Sequence, residues 1–171
     1  MKKTKAITLS AMMAALSVTL LLLGSVLEVL DLCTVMLASF CTLFVYLRVR
    51  PGYAWATYAV TAALALLLLP SKAVALEYLL FGGYYPILRA ALARLRPLPA
   101  LILKLLTFNA ALGGLLLLFR FLFVAVETSL TLEVVTFLLG NVAFLLYDYV
   151  LGRISFMILY RIRPRFRAKN K

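Results

Sequence analysis

The stretch "ITLSAMMAALSVTLLLLG", Ile7 to Gly24, decides how the rest of the chain reads. Lys2, Lys3 and Lys5 precede it, and a basic start before an apolar run describes either a secretory signal or a membrane helix. No small-x-small cleavage pattern follows, because the chain continues as "SVLEVLDL". The apolar length is close to the roughly 20 residues that cross a bilayer. A retained membrane helix is therefore expected. Its front half carries more small residues than contact with lipid requires. Ala11 and Ala15 form A-x-x-x-A, and Ser10 and Ala14 make an overlapping pair. Residues four apart stack on one helix face, so these pairs make a flat groove for another backbone, inside this chain or outside it.

Composition extends that reading to all 171 residues, of which 65% are apolar and 14% charged. A soluble domain is nearer half apolar, with about a quarter of its residues charged. The class is an all-α integral membrane protein. The net charge of +12 would suggest nucleic acid in a soluble protein. Here the bases border apolar runs, where they set topology, and no nucleic-acid partner is expected. The tail "YRIRPRFRAKNK" suits anionic lipid headgroups. The chain has no histidine, and its two cysteines, Cys33 and Cys41, lie eight residues apart on one expected helix. That spacing is about 12 Å along a helix, too far for a disulfide. No metal site, cofactor or enzymatic chemistry is expected.

Breaks at charges, glycine and proline give six expected spans, 7–27, 32–47, 53–69, 73–92, 99–125 and 131–160. The second is short and expected to lie obliquely or in thinned bilayer. The fifth is long and holds Lys104, Asn109 and Arg120, so tilt is expected there. In the fourth, "LLFGGYYPIL" places Gly82, Gly83 and Pro86 together. Proline removes a backbone bond and crowds the preceding turn, which predicts a kink near Gly82. Alternate loops then differ in charge. One side receives Lys2, Lys3 and Lys5, then Arg48 and Arg50, then Arg89, Arg94 and Arg96, and finally the tail from Arg161. The other receives Lys72 with Glu28, Asp31 and Glu127. By the positive-inside rule, a six-helix bundle with both termini cytoplasmic follows.

Ionisable groups inside spans are costly and mark candidate sites. Glu77, Arg120 and Glu133 fall in the outer third, near Lys72, Glu28 and Asp31. With Tyr78 beside Glu77 and Asn141 on span six, the candidate substrate-binding residues are Glu77, Tyr78, Arg120, Glu133 and Asn141. Asp148 sits deeper, about 18 Å from the inner end of its span by helix rise. Asn109 reaches a similar depth on span five, so Asn109 and Asp148 are expected to form a buried polar seam between spans five and six. Within that seam Asp148 is expected to be protonated or bonded to Asn109 or Arg153.

A chain of this size, with six expected spans, both ends inside and "ITLSAMMAALS" on its first helix, resembles the substrate-binding S components of energy-coupling factor (ECF) transporters. Ala11 and Ala15 stand where that family has its A-x-x-x-A motif, and the start is similar to riboflavin- and thiamine-type members. The resemblance implies a vitamin or related micronutrient bound near the extracellular side. It implies docking of the first helix, through Ala11, Ala14 and Ala15, to a transmembrane T subunit, with two cytosolic ATPase subunits driving the toppling that releases solute inside. The chain has no P-loop, in keeping with ATP hydrolysis by partners. A non-transport scaffold similar to the rod-shape-determining membrane proteins of cell-wall assembly is the chief alternative, and a stand-alone channel or exporter is a third.

Overall fold

Lipid offers the backbone no hydrogen-bond partner, so long apolar runs satisfy their own N–H and C=O groups as helices. The computed structural model describes residues 3–27, 30–93, 96–122 and 130–167. Among these residues it is helical, with no strand. Helix α1 spans Lys3–Leu27, α2 Asp31–Arg48 and α3 Pro51–Leu68. A broken helix follows: α4 Lys72–Glu77, a π-helical turn Tyr78–Gly82, and α5 Tyr85–Leu92. The chain closes with α6 Pro97–Leu122 and α7 Leu130–Arg167. Five of these helices, α1, α2, α3, α6 and α7, are long and apolar enough to cross a membrane. The remaining expected span, the fourth at 73–92, is the broken one. Five long apolar helices describe a multi-pass membrane protein.

The break falls where glycine and proline predicted it. Gly83 N–H donates to the carbonyl of Tyr78 at 2.8 Å, an i→i+5 bond that widens the helix. Pro86 then opens α5, where its missing N–H leaves no donor unmatched. The carbonyl of Leu79 is met from outside the helix, by the hydroxyl of Tyr58 on α3 at 2.9 Å. Neighbouring side chains commonly repair broken membrane helices this way. Lys72 does similar work about two turns earlier. Its Nζ donates to the carbonyls of Leu66 and Leu69 at 2.8 and 3.0 Å, capping the end of α3.

Three apolar clusters hold the bundle among the described residues, the smallest being Val45, Ala54 and Ile87. The first joins Leu21 of α1, Val35 and Ala38 of α2, Ala62 and Ala65 of α3, and Val74 and Tyr78 of the broken helix. The second is aromatic and joins Leu43, Tyr85, Phe144, Tyr147 and Leu151, with Phe81 and Phe108 packed against them. The rings of Phe108 and Phe144 stack with centroids 4.5 Å apart, and Phe81 stacks on Tyr85 at 4.8 Å. Such pairs favour one register of α6 and α7 over its neighbours, beyond what burial alone supplies.

Small and hydroxylated residues let the helices of the first core approach closely. The buried face of α1 is Ala6, Ser10, Ala14, Ser17, Leu21 and Gly24. Ser17 donates to Met13 within its helix and also reaches the carbonyl of Ala38 on α2 at 3.3 Å. A side chain at Gly24 would lie 1.9 Å from Thr34 Oγ1, so only glycine admits α2 at that crossing. Ala14 is thus an internal packing residue, a correction to its expected place on a docking surface. Ala11 and Ala15, one position along, are exposed.

Candidate functional site

Between α2, the π-helical turn, α6 and α7 lies a cavity of about 460 Å³. The start of α2 contributes Leu32, Val35 and Met36, the turn Leu80 to Gly82, α6 Phe108 and Leu112, and α7 Gly140, Ala143 and Phe144. Its walls are apolar apart from Glu77, Thr136 and Tyr147. Tyr147 is already engaged with Ser39, so its hydroxyl anchors α7 to α2. Glu77 is different. Its Oε2 is buried with no hydrogen-bond partner among the described residues, and Asp31 lies within electrostatic range of it. A carboxylate held in apolar surroundings is expensive unless something pairs with it. A concave, mostly apolar space with one convergent polar group is the ordinary form of a small-molecule site.

The structure brings together some of the expected site residues and separates others. Glu77 lines the cavity. Tyr78, its neighbour in sequence, points the other way into the first core, where its hydroxyl lies 3.1 Å from that of Thr42. Helix geometry explains the split, since consecutive residues are turned by about 100°. Asn141 donates to Asn109 Oδ1 at 3.0 Å and to its own helix at Phe137, so it ties α6 to α7 and does not line the cavity. Arg120 and Glu133 lie on described helices, but their side chains fall outside the described residues. In register, Arg120 is one turn beyond Leu116 and Glu133 three residues before Thr136, both of which line the cavity.

Asp148 has partners that the sequence reading did not assign. Arg89 Nε donates to Oδ1 at 2.6 Å, Tyr85 donates to the same oxygen at 2.7 Å, and Lys104 Nζ donates to Oδ2 at 2.9 Å. The expected seam of Asn109 with Asp148 is therefore two separate contacts: Asn109 pairs with Asn141, and Asp148 with a cationic pair. Arg153, the other expected partner, instead donates to Tyr149 at 3.2 Å and lies over its ring. Arg89 is three residues from the end of α5 and Lys104 seven from the start of α6, whereas Asp148 itself lies midway along α7. The available signal was charge matching: Arg89 and Lys104 are bases within apolar segments and need an acid, and Asp148 is the acid on the facing helix.

The outward face of α1 completes the inventory. Ala11 and Ala15 are exposed beside Ile7, Met12 and Leu16, a flat apolar strip that none of the described helices covers. Ala110 and Gly114 of α6 are also exposed, and nothing lies within 4 Å of a side chain added at Gly114. No protein-family model matches the chain, nor does any curated protein or solved structure.

Proposed function

We propose that this chain is the membrane-embedded substrate-binding subunit of an ECF-type uptake transporter in a bacterial plasma membrane, with both termini cytoplasmic. In this reading a vitamin-like solute occupies the cavity beside Glu77 near the extracellular side. The exposed Ala11–Ala15 face of α1 docks to a transmembrane T subunit, and two cytosolic ATPase subunits power release. The observation that carries the proposal is the cavity of about 460 Å³ with, in its wall, a buried carboxylate oxygen that has no hydrogen-bond partner among the described residues. Its size suits a small organic solute, since such sites usually measure about 300–1,000 Å³. By the sequence reading its wall belongs to the acidic side of the chain, and Arg120 and Glu133 are about one turn or less in sequence from its lining residues Leu116 and Thr136. The loop bias in lysine and arginine supports the orientation.

A scaffold similar to the rod-shape-determining proteins also needs an exposed helix face for partners, and the outward alanines favour it to that extent. It has no use for an apolar cavity with a carboxylate. Native mass spectrometry of the full chain purified from its own membranes separates the two. The transporter reading expects a T subunit, two ATPase subunits and a bound solute of a few hundred daltons. Recovery of cell-wall assembly proteins, with an empty cavity, would replace it with the scaffold.

A further inference from the structure

At the opposite end of the bundle from Glu77, positive charge outnumbers negative around one carboxylate. Arg89 and Lys104 both bond to Asp148. Arg153 lines the same cleft as Arg89 and Asp148, a space of about 310 Å³ between α5 and α7. Asp148 thus has Arg89 and Lys104 bonded to it and Arg153 in the same cleft wall, and that wall holds no second acid among the described residues. An excess of cationic charge inside a membrane segment needs a counter-anion or a path to the interface.

The donors are arranged to take such an anion. Arg89 meets Asp148 through Nε, which leaves its Nη groups directed elsewhere. Nη2 sits over Gly152, where an added Cβ would come within 2.6 Å of it, and Gly152 is part of the cleft wall. The missing side chain at Gly152 is what gives the guanidinium its place. Arg153 follows at once on the same helix, exposed, with Nε turned to Tyr149. Two guanidinium groups border one cleft, and their planar forks suit phosphate oxygens. By helix rise, Arg89 is about 5 Å and Lys104 about 10 Å from the ends of their helices, a depth that headgroup phosphates reach. Leu145 and Tyr149 of the cleft wall are exposed along α7, as are Leu146 and Val150 beside them. Free phosphate has no use for that apolar strip, whereas an acyl chain does.

We propose that the cleft between α5 and α7 binds the phosphate of an anionic phospholipid, held by Arg89 and Arg153, with its acyl chain along Leu145, Leu146 and Tyr149. This site is independent of whatever occupies the Glu77 cavity. It is also distinct from non-specific attraction of the basic C-terminal tail to a charged surface.

Lipid retention by the full chain tests it, measured by native mass spectrometry from micelles holding equal phosphatidylglycerol and phosphatidylcholine. Wild type is expected to retain phosphatidylglycerol in preference. Arg153→Gln, which alters an exposed side chain and keeps the whole basic tail, is expected to bind that lipid about five-fold more weakly, the effect of about one basic contact near a membrane surface. Arg89→Lys keeps a charge near Asp148 but loses the fork, and is expected to show a loss in the same direction while circular dichroism stays helical. Inorganic phosphate added with phosphatidylcholine alone is expected to give no stabilisation. Equal retention of phosphatidylglycerol by wild type and both variants would overturn the proposal, leaving the preference to the tail. Stabilisation by inorganic phosphate equal to that by phosphatidylglycerol would overturn the lipid assignment.

Discussion

Arg89 on α5 and Asp148 on α7 form an ion pair, Nε to Oδ1 at 2.6 Å, and Lys104 on α6 closes on the other carboxylate oxygen. One acid thereby ties three helices, including α6, of which Ala100 alone, at 8% exposure, is buried among the described residues. Each of the three charged side chains is less than a fifth exposed, so solvent screens the pairing weakly. Removing one partner leaves the others charged in poor surroundings. Asp148→Ala is expected to destabilise the protein by about 3–5 kcal/mol, read as a fall in thermal unfolding temperature in detergent. Adding Lys104→Met to Asp148→Ala is expected to recover part of the loss, because an unpaired buried cation is removed. A double variant less stable than Asp148→Ala alone would show that Lys104 matters for reasons other than this pair.

The two faces of α1 make opposite demands on a bulky residue. Ala14→Trp is expected to prevent folding, since Ala14 lies 4% exposed against its neighbours. Ala11→Trp and Ala15→Trp are expected to leave unfolding temperature and solute affinity unchanged while abolishing co-purification of partner subunits. Loss of folding in the Ala11 and Ala15 variants would place those alanines inside this protein's own packing.

Gly24 sets the spacing of α1 and α2. Gly24→Ala is expected to cost about 1–3 kcal/mol, the usual effect of overpacking a close contact, because its Cβ would collide with Thr34. Thr34→Ser with Gly24→Ala is expected to restore only a little, since the nearest atom is the hydroxyl oxygen that serine retains. Thr34→Ala removes that oxygen and is expected to restore more. Thermal unfolding of the four proteins orders them.

Glu77 and Tyr78 are adjacent in sequence and belong to different parts of the molecule. Glu77→Gln is expected to weaken solute binding about ten-fold or more, the scale of a lost charge-assisted bond, with assembly intact. Tyr78→Phe removes the contact with Thr42 and is expected to lower stability by about 0.5–1.5 kcal/mol with solute affinity unchanged. Equilibrium binding with whichever solute stabilises the wild type separates the two effects. Equal affinity in wild type and Glu77→Gln would remove Glu77 from the site.

Much of this bundle was legible before the structure, for reasons that also explain what was missed. Apolar length and flanking bases located the long helices, and Gly82, Gly83 and Pro86 located the break, because each reflects a backbone requirement that tertiary contacts do not change. Which face of a helix looks inward was not legible. In a membrane segment both faces are apolar, so α1 carries no polar side to fix its phase, and Ala11, Ala14 and Ala15 look alike until folding buries Ala14. Arg89 was read as a loop base because it lies near a helix end, although α5 continues past it to Leu92. Glu77 was recognisable as an ionisable group at membrane depth. The aromatic and aliphatic walls around it come from four separate segments, and only folding shows that they enclose a space.

Solute binding in the cavity beside Glu77 is the central claim, and its most direct test is a thermal-shift screen of the purified full chain against a vitamin library, run in parallel on Ala143→Phe. A ligand that binds the folded state raises its unfolding temperature, and Ala143 lies in the cavity wall, where a phenyl ring would occupy the space. At least one vitamin-like compound is expected to stabilise the wild type and not the Ala143→Phe variant. A compound that stabilises both equally, or a library in which none stabilises the wild type, would contradict the claim.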